Sequence, residues 1–259
     1  MSFAGATECV VLGCTARRRP SASYSLNAGL NPQLADNVDF KLEFYFGNNG
    51  AGMFSVRGQR KNITDYIGSA TRSGELVAAG LDNGFDGLYE GYEIIRSANL
   101  GNAKLRGMEI DYRQRLSFLP GVLMGFALRG NYSYLETSGR FAGMVDLANG
   151  QVAGFVPRAA NLGLQYAYQK FGASFDMNYT GRYPVAYSLT SPGNGNIYRD
   201  AWKMMNAGVT YRVRPDTTLF LNVNNIAQEG PRQYMFVETR ARAQWVVPRT
   251  LKFGVDGRF

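Results

Sequence analysis

Along much of the chain, apolar side chains fall at every second position. Between 36 and 46, Val38, Phe40, Leu42, Phe44 and Phe46 alternate with Asp39, Lys41 and Glu43. In 104–118, Met108, Ile110, Tyr112, Leu116 and Phe118 oppose Glu109, Asp111, Arg113 and Arg115. In 122–135 the apolar set is Val122, Met124, Phe126, Leu128, Tyr132 and Tyr134, against Arg129, Asn131 and Ser133. In 171–183, Phe171, Phe175, Met177, Tyr179 and Tyr183 oppose Asp176, Asn178 and Arg182. The closing stretch TLKFGVDGRF sets Leu251, Phe253, Val255 and Phe259 against Lys252, Asp256 and Arg258. A period of two belongs to strands with one apolar and one polar face. Strands are expected near 22–30, 37–46, 52–63, 104–118, 122–136, 156–169, 171–184, 200–213, 217–227 and 246–259.

The punctuation is asymmetric. FGNNGAG at 46–52, LPG at 119–121, QKFG at 169–172 and RPD at 214–216 are compact turn signals. The other strand ends are joined by long segments, about 65–100, 138–155, 186–199 and 228–246. Tight turns on one rim and long loops on the other are the habit of outer-membrane barrels. A soluble sandwich also alternates. These strands, however, run about 10–15 residues against a usual ~5–6 in soluble sheets, and they suit tilted membrane-spanning strands. Aromatic residues cap the apolar faces: Tyr132 and Tyr134 toward the long-loop rim, Phe44, Phe46, Phe118, Phe171 and Phe259 toward the short-turn rim. Girdles at two depths are expected of a membrane barrel. The fold class predicted is all-β, an antiparallel transmembrane β-barrel of about ten strands.

Composition narrows the chemistry. The 259 residues are 45% hydrophobic and 19% charged, too apolar for disorder. The net charge of +8 comes from residues scattered singly, so it describes solvated faces and loops rather than a nucleic-acid patch. The stretch ARAQW at 241–245 is a single basic-aromatic run and reads as an exposed loop. There is no histidine, which excludes hydrolases that use a histidine base and histidine-ligated metals. The two cysteines, Cys9 and Cys14, make neither a disulfide framework nor a zinc site. DNGFDG at 82–87 lacks the ligand spacing and closing glutamate of a calcium loop. NIT, NYS and NYT fall within strands and are discounted as glycosylation acceptors. No catalytic residue, metal ligand or cofactor is predicted.

Four stretches in order carry a family resemblance over 21–259. ASYSLNAGLNPQLADNVDFKLEFYFGNNGAGMFSVRGQRKNITDYI resembles a strand, NPxLxPE loop and hairpin of TonB-dependent outer-membrane receptors, with Ala35-Asp36 in place of Pro-Glu. AKLRGMEIDYRQRLSFLPG is similar to that family's GxE strand. LFLNVNNIAQEGPRQY resembles its penultimate strand, with Ala227-Gln228 in place of Phe-Asp, and TLKFGVDGRF its last strand with a terminal phenylalanine.

The resemblance implies the carboxy-terminal part of a receptor barrel, under half of some 22 strands, with the plug domain and TonB box outside this sequence. It also implies uptake of ligands such as iron–siderophore, cobalamin or oligosaccharide across the outer membrane. Such a fragment is expected to be inactive alone; the alternative is a small structural or adhesive barrel. Residues 1–20 lack the basic-then-apolar order of a signal peptide and are expected to be an unstructured or spurious start. The partners implied are outer-membrane lipid, the barrel assembly machinery, and the TonB complex only if a plug is supplied. Leu251, Phe253, Val255 and Phe259 are the expected assembly signal. Glu109, Asp111, Arg113, Arg129, Asn131, Asp176, Asn178 and Arg182 are the expected lumen-facing set.

Overall fold

The computed structural model describes residues 22–24, 29–47, 51–70, 77–84, 86–99, 101–139, 151–187 and 194–257. The start at 1–20, Arg258 and Phe259 lie outside the described residues. In chain order the strands are β1 (Ala22–Tyr24), β2 (Leu34–Phe46), β3 (Gly52–Thr64), β4 (Ile67–Ala70) and β5 (Glu93–Asn99). They continue with β6 (Ala103–Arg115), β7 (Phe126–Gly139), β8 (Arg158–Tyr168), β9 (Phe171–Thr180) and β10 (Tyr183–Ala186). Last come β11 (Ile197–Arg199), β12 (Trp202–Arg214), β13 (Thr217–Asn224), β14 (Arg232–Met235), β15 (Val237–Gln244) and β16 (Thr250–Gly257).

Nine of these form one antiparallel sheet in the order β16-β13-β12-β9-β8-β7-β6-β3-β2. Every neighbour in that order except β9–β12, β3–β6 and β13–β16 is joined directly by a connection of a few residues or by a single loop, so the wall is a meander. Register fixes the rims. Phe46 lies opposite Gly52, Gly52 opposite Gln114, Tyr168 opposite Phe171, and Arg214 and Gly257 both opposite Thr217. The short turns therefore share one rim, and the connections at 65–102, 140–157, 181–201 and 225–249 share the other. Turn geometry suits the sequence: Gly47 has φ 78°, Gly121 has φ 60°, and Gln169 takes the left-handed region at φ 53°.

Three expectations are corrected. The strand expected at 22–30 is described only at Ala22–Tyr24, where β1 runs parallel to β5 in a separate sheet, β1-β5-β4, instead of joining the wall. Residues 122–125 do not begin β7: Pro120 and Gly121 start a 3-10 turn over Gly121–Gly125, and pairing starts at Phe126. Finally, the long segments are not plain loops. Parts of them pair into a four-stranded sheet, β10-β11-β14-β15, so the described chain holds more than ten strands and nine in the wall.

Very little of the wall is buried. A small core of Ile63, Ala103, Leu105 and Val152, with Tyr66, Leu135 and Phe155 against it, closes one side of the sheet near the long-loop rim. The opposite side leaves Phe40, Leu42 and Phe44 60–65% exposed and Phe253 79% exposed. A sandwich would cover such a face with a second sheet. A contiguous apolar face this large needs lipid or another protein against it, and the sheet is that of a transmembrane β-barrel wall, open at β2 and β16.

Candidate functional site

The polar side of the wall is built by register. Tyr45, Met53, Arg113, Arg129, Gly163, Asp176 and Asn206 are successive Cα partners across seven strands. The next row is Glu43, Ser55, Asp111, Asn131, Asn161, Asn178 and Met204. Because a strand's side chains alternate, these rows share one face with Glu109, which pairs with Arg57 and Ser133. Seven of the eight residues expected on the polar side, all but Arg182, thus stand together.

Side chains knit this face. The Arg129 guanidinium donates to Asp176 Oδ1 at 2.6 Å, across the intervening strand β8. Gly163 makes that reach possible, since a Cβ there would lie 2.3 Å from Arg129 Nε. Asn161 donates to Asn131 at 2.7 Å, and Arg57 to Asp39 at 2.9 Å. On β2, Lys41 and the Tyr45 hydroxyl converge on the Glu43 carboxylate at 2.5 and 2.6 Å. An open hollow of about 400 Å³ is lined by Arg113, Arg129, Asn131, Asn161, Asp176 and Asn178. Both charge signs and amides line it, a surface that water wets and that can hold polar solutes by hydrogen bonds.

Arg182 lies elsewhere. It lies in the connection between β9 and β10, and its side chain reaches the β10-β11-β14-β15 sheet, where it pairs with Glu238, sits 3.9 Å from Asp200, and stands over the Tyr234 ring. Asp200 accepts from Arg232 at 2.6 Å. Burial pushes the Asp200 carboxyl up, but the Arg232 hydrogen bond, the Ala201 N–H and the Arg182 charge outweigh it and hold it below the usual carboxylate value. Arg199 is held between two rings, 5.8 Å from Tyr183 and 5.2 Å from Trp245, with its Nε buried and unpaired. Tyr198 stacks on Tyr234 at 5.5 Å. Burial raises both Tyr187 and Tyr234. Sequence reading missed Arg199 and Arg232 because it took 186–199 and 228–246 for loops, and missed Asp200, the first residue of the strand expected at 200–213, because its partner Arg232 lay in one of those loops. The short alternations in IYRD and RQYM were the available signal.

Leu251, Phe253 and Val255 lie on the other face of β16, partnered by Val223, Leu221 and Leu219 and 60–79% exposed. Their companion Phe259 is outside the described residues. Among the described residues no group of three or more His, Cys, Asp or Glu is arranged to hold a metal ion.

The model of the family described as TonB dependent receptor-like, beta-barrel matches residues 6–226. Curated proteins give no match. Solved structures with a similar fold include the FrpB iron transporter of Neisseria meningitidis, at 16% identity and TM-score 0.57, covering 91% of this chain and 33% of that one. The ferric enterobactin receptor of Pseudomonas aeruginosa in complex with enterobactin is similar at 17% identity and TM-score 0.60, covering 92% and 34%. The copper transporter OprC is similar at 14% identity and TM-score 0.59, covering 90% and 31%. The chain spans about a third of the length of these structures.

Proposed function

The chain belongs to the TonB-dependent receptor-like β-barrel family, whose barrels are outer-membrane transporters and receptors rather than enzymes, and from that premise we propose that it forms part of the wall of an outer-membrane uptake receptor. The observation that carries this is the division of one nine-stranded sheet into an exposed apolar face and a hydrogen-bonded polar face. The apolar face meets lipid. Glu109, Asp111, Arg113, Arg129, Asn131, Asp176 and Asn178 line a hydrated lumen. Arg182 serves at the long-loop mouth with Asp200, Arg232 and the aromatic residues around Arg199.

The ligand in this reading is a scarce metal chelate. The similar structures are an iron transporter, a copper transporter and a ferric enterobactin receptor, which favours that class over cobalamin or an oligosaccharide. Uptake draws on the TonB complex through a plug housed in a closed barrel. The assembly machinery reads Leu251, Phe253, Val255 and Phe259. The 259 residues alone do not transport, because their described sheet ends in unpaired edges at β2 and β16, which hydrocarbon does not tolerate.

The test expresses the chain behind a signal peptide in cells lacking their own ferric-chelate receptors. The same chain is also expressed joined to the plug and remaining strands of a related receptor. Iron uptake by the joined form and not by the 259 residues is the expected result. Uptake by the 259 residues alone would show a complete transporter. Uptake by neither form, with both in the outer membrane, would favour the structural or adhesive barrel.

A further inference from the structure

One corner of the apolar face carries unpartnered cations. Odd positions of β3 and β6 turn to the polar side, as buried Ile63 and Leu105 do, so Arg60, Lys104 and Arg106 turn outward. Arg60 and Arg106 are direct Cα partners, Lys104 is two residues from Arg106, and Arg158 stands opposite Tyr134 on the same face. All four are exposed. Like charges directly opposite on a sheet repel, yet among the described residues no ion pair or side-chain hydrogen bond reaches any of the four. The carboxylates that share this corner are Asp36 and Glu136, leaving cations in excess. The cations cannot fold inward, because Leu105, Thr137 and Val152 fill the space behind them.

The height of the patch is telling. The row Val38, Arg60, Arg106, Glu136 lies two residues beyond the row Gly58, Met108, Tyr134, Arg158, or about 7 Å along the strands. It stands just outside the tyrosine girdle, on the long-loop side. A lipid's acyl chains would cover Met108 and Ile110 while its headgroup reached the arginines. Guanidinium groups bind phosphate oxygens through paired N–H donors, and basic clusters beside a membrane span recognise anionic headgroups.

We propose that Arg60, Lys104, Arg106 and Arg158 bind the phosphate groups of an anionic lipid in the outer leaflet, on the long-loop side. The proposal rests on the orientation given under Proposed function, apolar face to lipid, and adds a specific lipid to it. The chain, joined to the plug and remaining strands of a related receptor so that β2 and β16 are paired, is refolded into phosphatidylcholine vesicles carrying a small fraction of lipid A, with or without its phosphates. It is then extracted and captured, and the lipid A retained per chain is weighed by mass spectrometry. Retention of phosphorylated lipid A and loss of the dephosphorylated form are expected. R60Q/R106Q should retain roughly tenfold less, and K170Q, at the opposite rim, should retain as much as the unsubstituted chain. Equal retention of both lipids by the unsubstituted chain would overturn the proposal, as would full retention by a folded R60Q/R106Q. Displacement by inorganic phosphate at the lipid's own concentration would also overturn it, by showing a site for the free ion. Brominated phosphatidylcholine separates the two levels, since added fluorescence in Tyr132→Trp should be quenched. Quenching without phosphate-dependent retention would refute the lipid site and leave the orientation standing; absence of quenching would refute both.

Discussion

Placing an arginine at Leu162 measures how deep the apolar face sits in hydrocarbon. Leu162 is 41% exposed on the apolar face, opposite Gly130 on β7. Phe126 lies four residues from Gly130 in one direction and Tyr134 four in the other. At about 3.4 Å per residue the two rings are some 27 Å apart along the strand. A tilt near 40° brings that to about 20 Å across the bilayer, within an apolar band of about 25 Å. Leu162 is then at the midplane, where an arginine costs about 2–4 kcal/mol. Val255 partners Leu219, which partners Tyr211, which partners Phe171 in the short-turn girdle. Val255→Arg should therefore cost only about 0–1 kcal/mol. Asp176→Ala, on the polar face, removes an ion pair whose side chains are 33% and 57% exposed, and should also cost about 0–1 kcal/mol. Reversible urea unfolding from vesicles, of the chain joined to the remaining strands of a related receptor, gives all three values. Equal costs at Leu162 and Asp176, or a larger cost at Val255 than at Leu162, would refute the assignment of faces and depth.

Three further outcomes are expected. Gly230→Ala should destabilise the end of the β14–β15 hairpin, because its Cβ would lie 2.1 Å from the Trp245 carbonyl oxygen; faster proteolysis between β13 and β16 reads this, and an unchanged digest would count against it. Asp200 has a folded pKa below its ordinary 3.8, so the stability it lends β11 and β14 is present above that value and is lost as pH falls through the folded one; amide exchange at Ile197–Arg199 should quicken there in the unsubstituted chain and show no such step in Asp200→Asn. An exported form carrying Phe259→Asp should accumulate in the periplasm while Arg258→Ala inserts normally, and equal fractionation of the two would remove the assembly-signal role.

The sequence by itself determined the wall. Alternation at Val38–Phe46, Met108–Tyr112 and Leu251–Val255, with glycine- and proline-marked turns between, needs no tertiary information, because side-chain period and turn geometry are local. Alternation within each strand also grouped seven of the eight residues expected to face the lumen on the polar sides of their own strands, because the side-chain period is local; the pairing that lines them up across strands was not legible. Tertiary structure decided what depends on distance. Gly163 looks incidental in the chain, yet its missing Cβ lets Arg129 reach Asp176 across β8. Arg182 continues the alternation of β9 but departs to Asp200 and Glu238, because pairing with β12 ends at Thr180 and the chain turns into a second sheet. Short strands such as Ile197–Arg199 and Arg232–Met235 carry too few alternations to be read alone, and only their mutual pairing makes them strands. The unpaired arginines opposite one another at 60 and 106 come from segments 46 residues apart, and register alone brings their charges together.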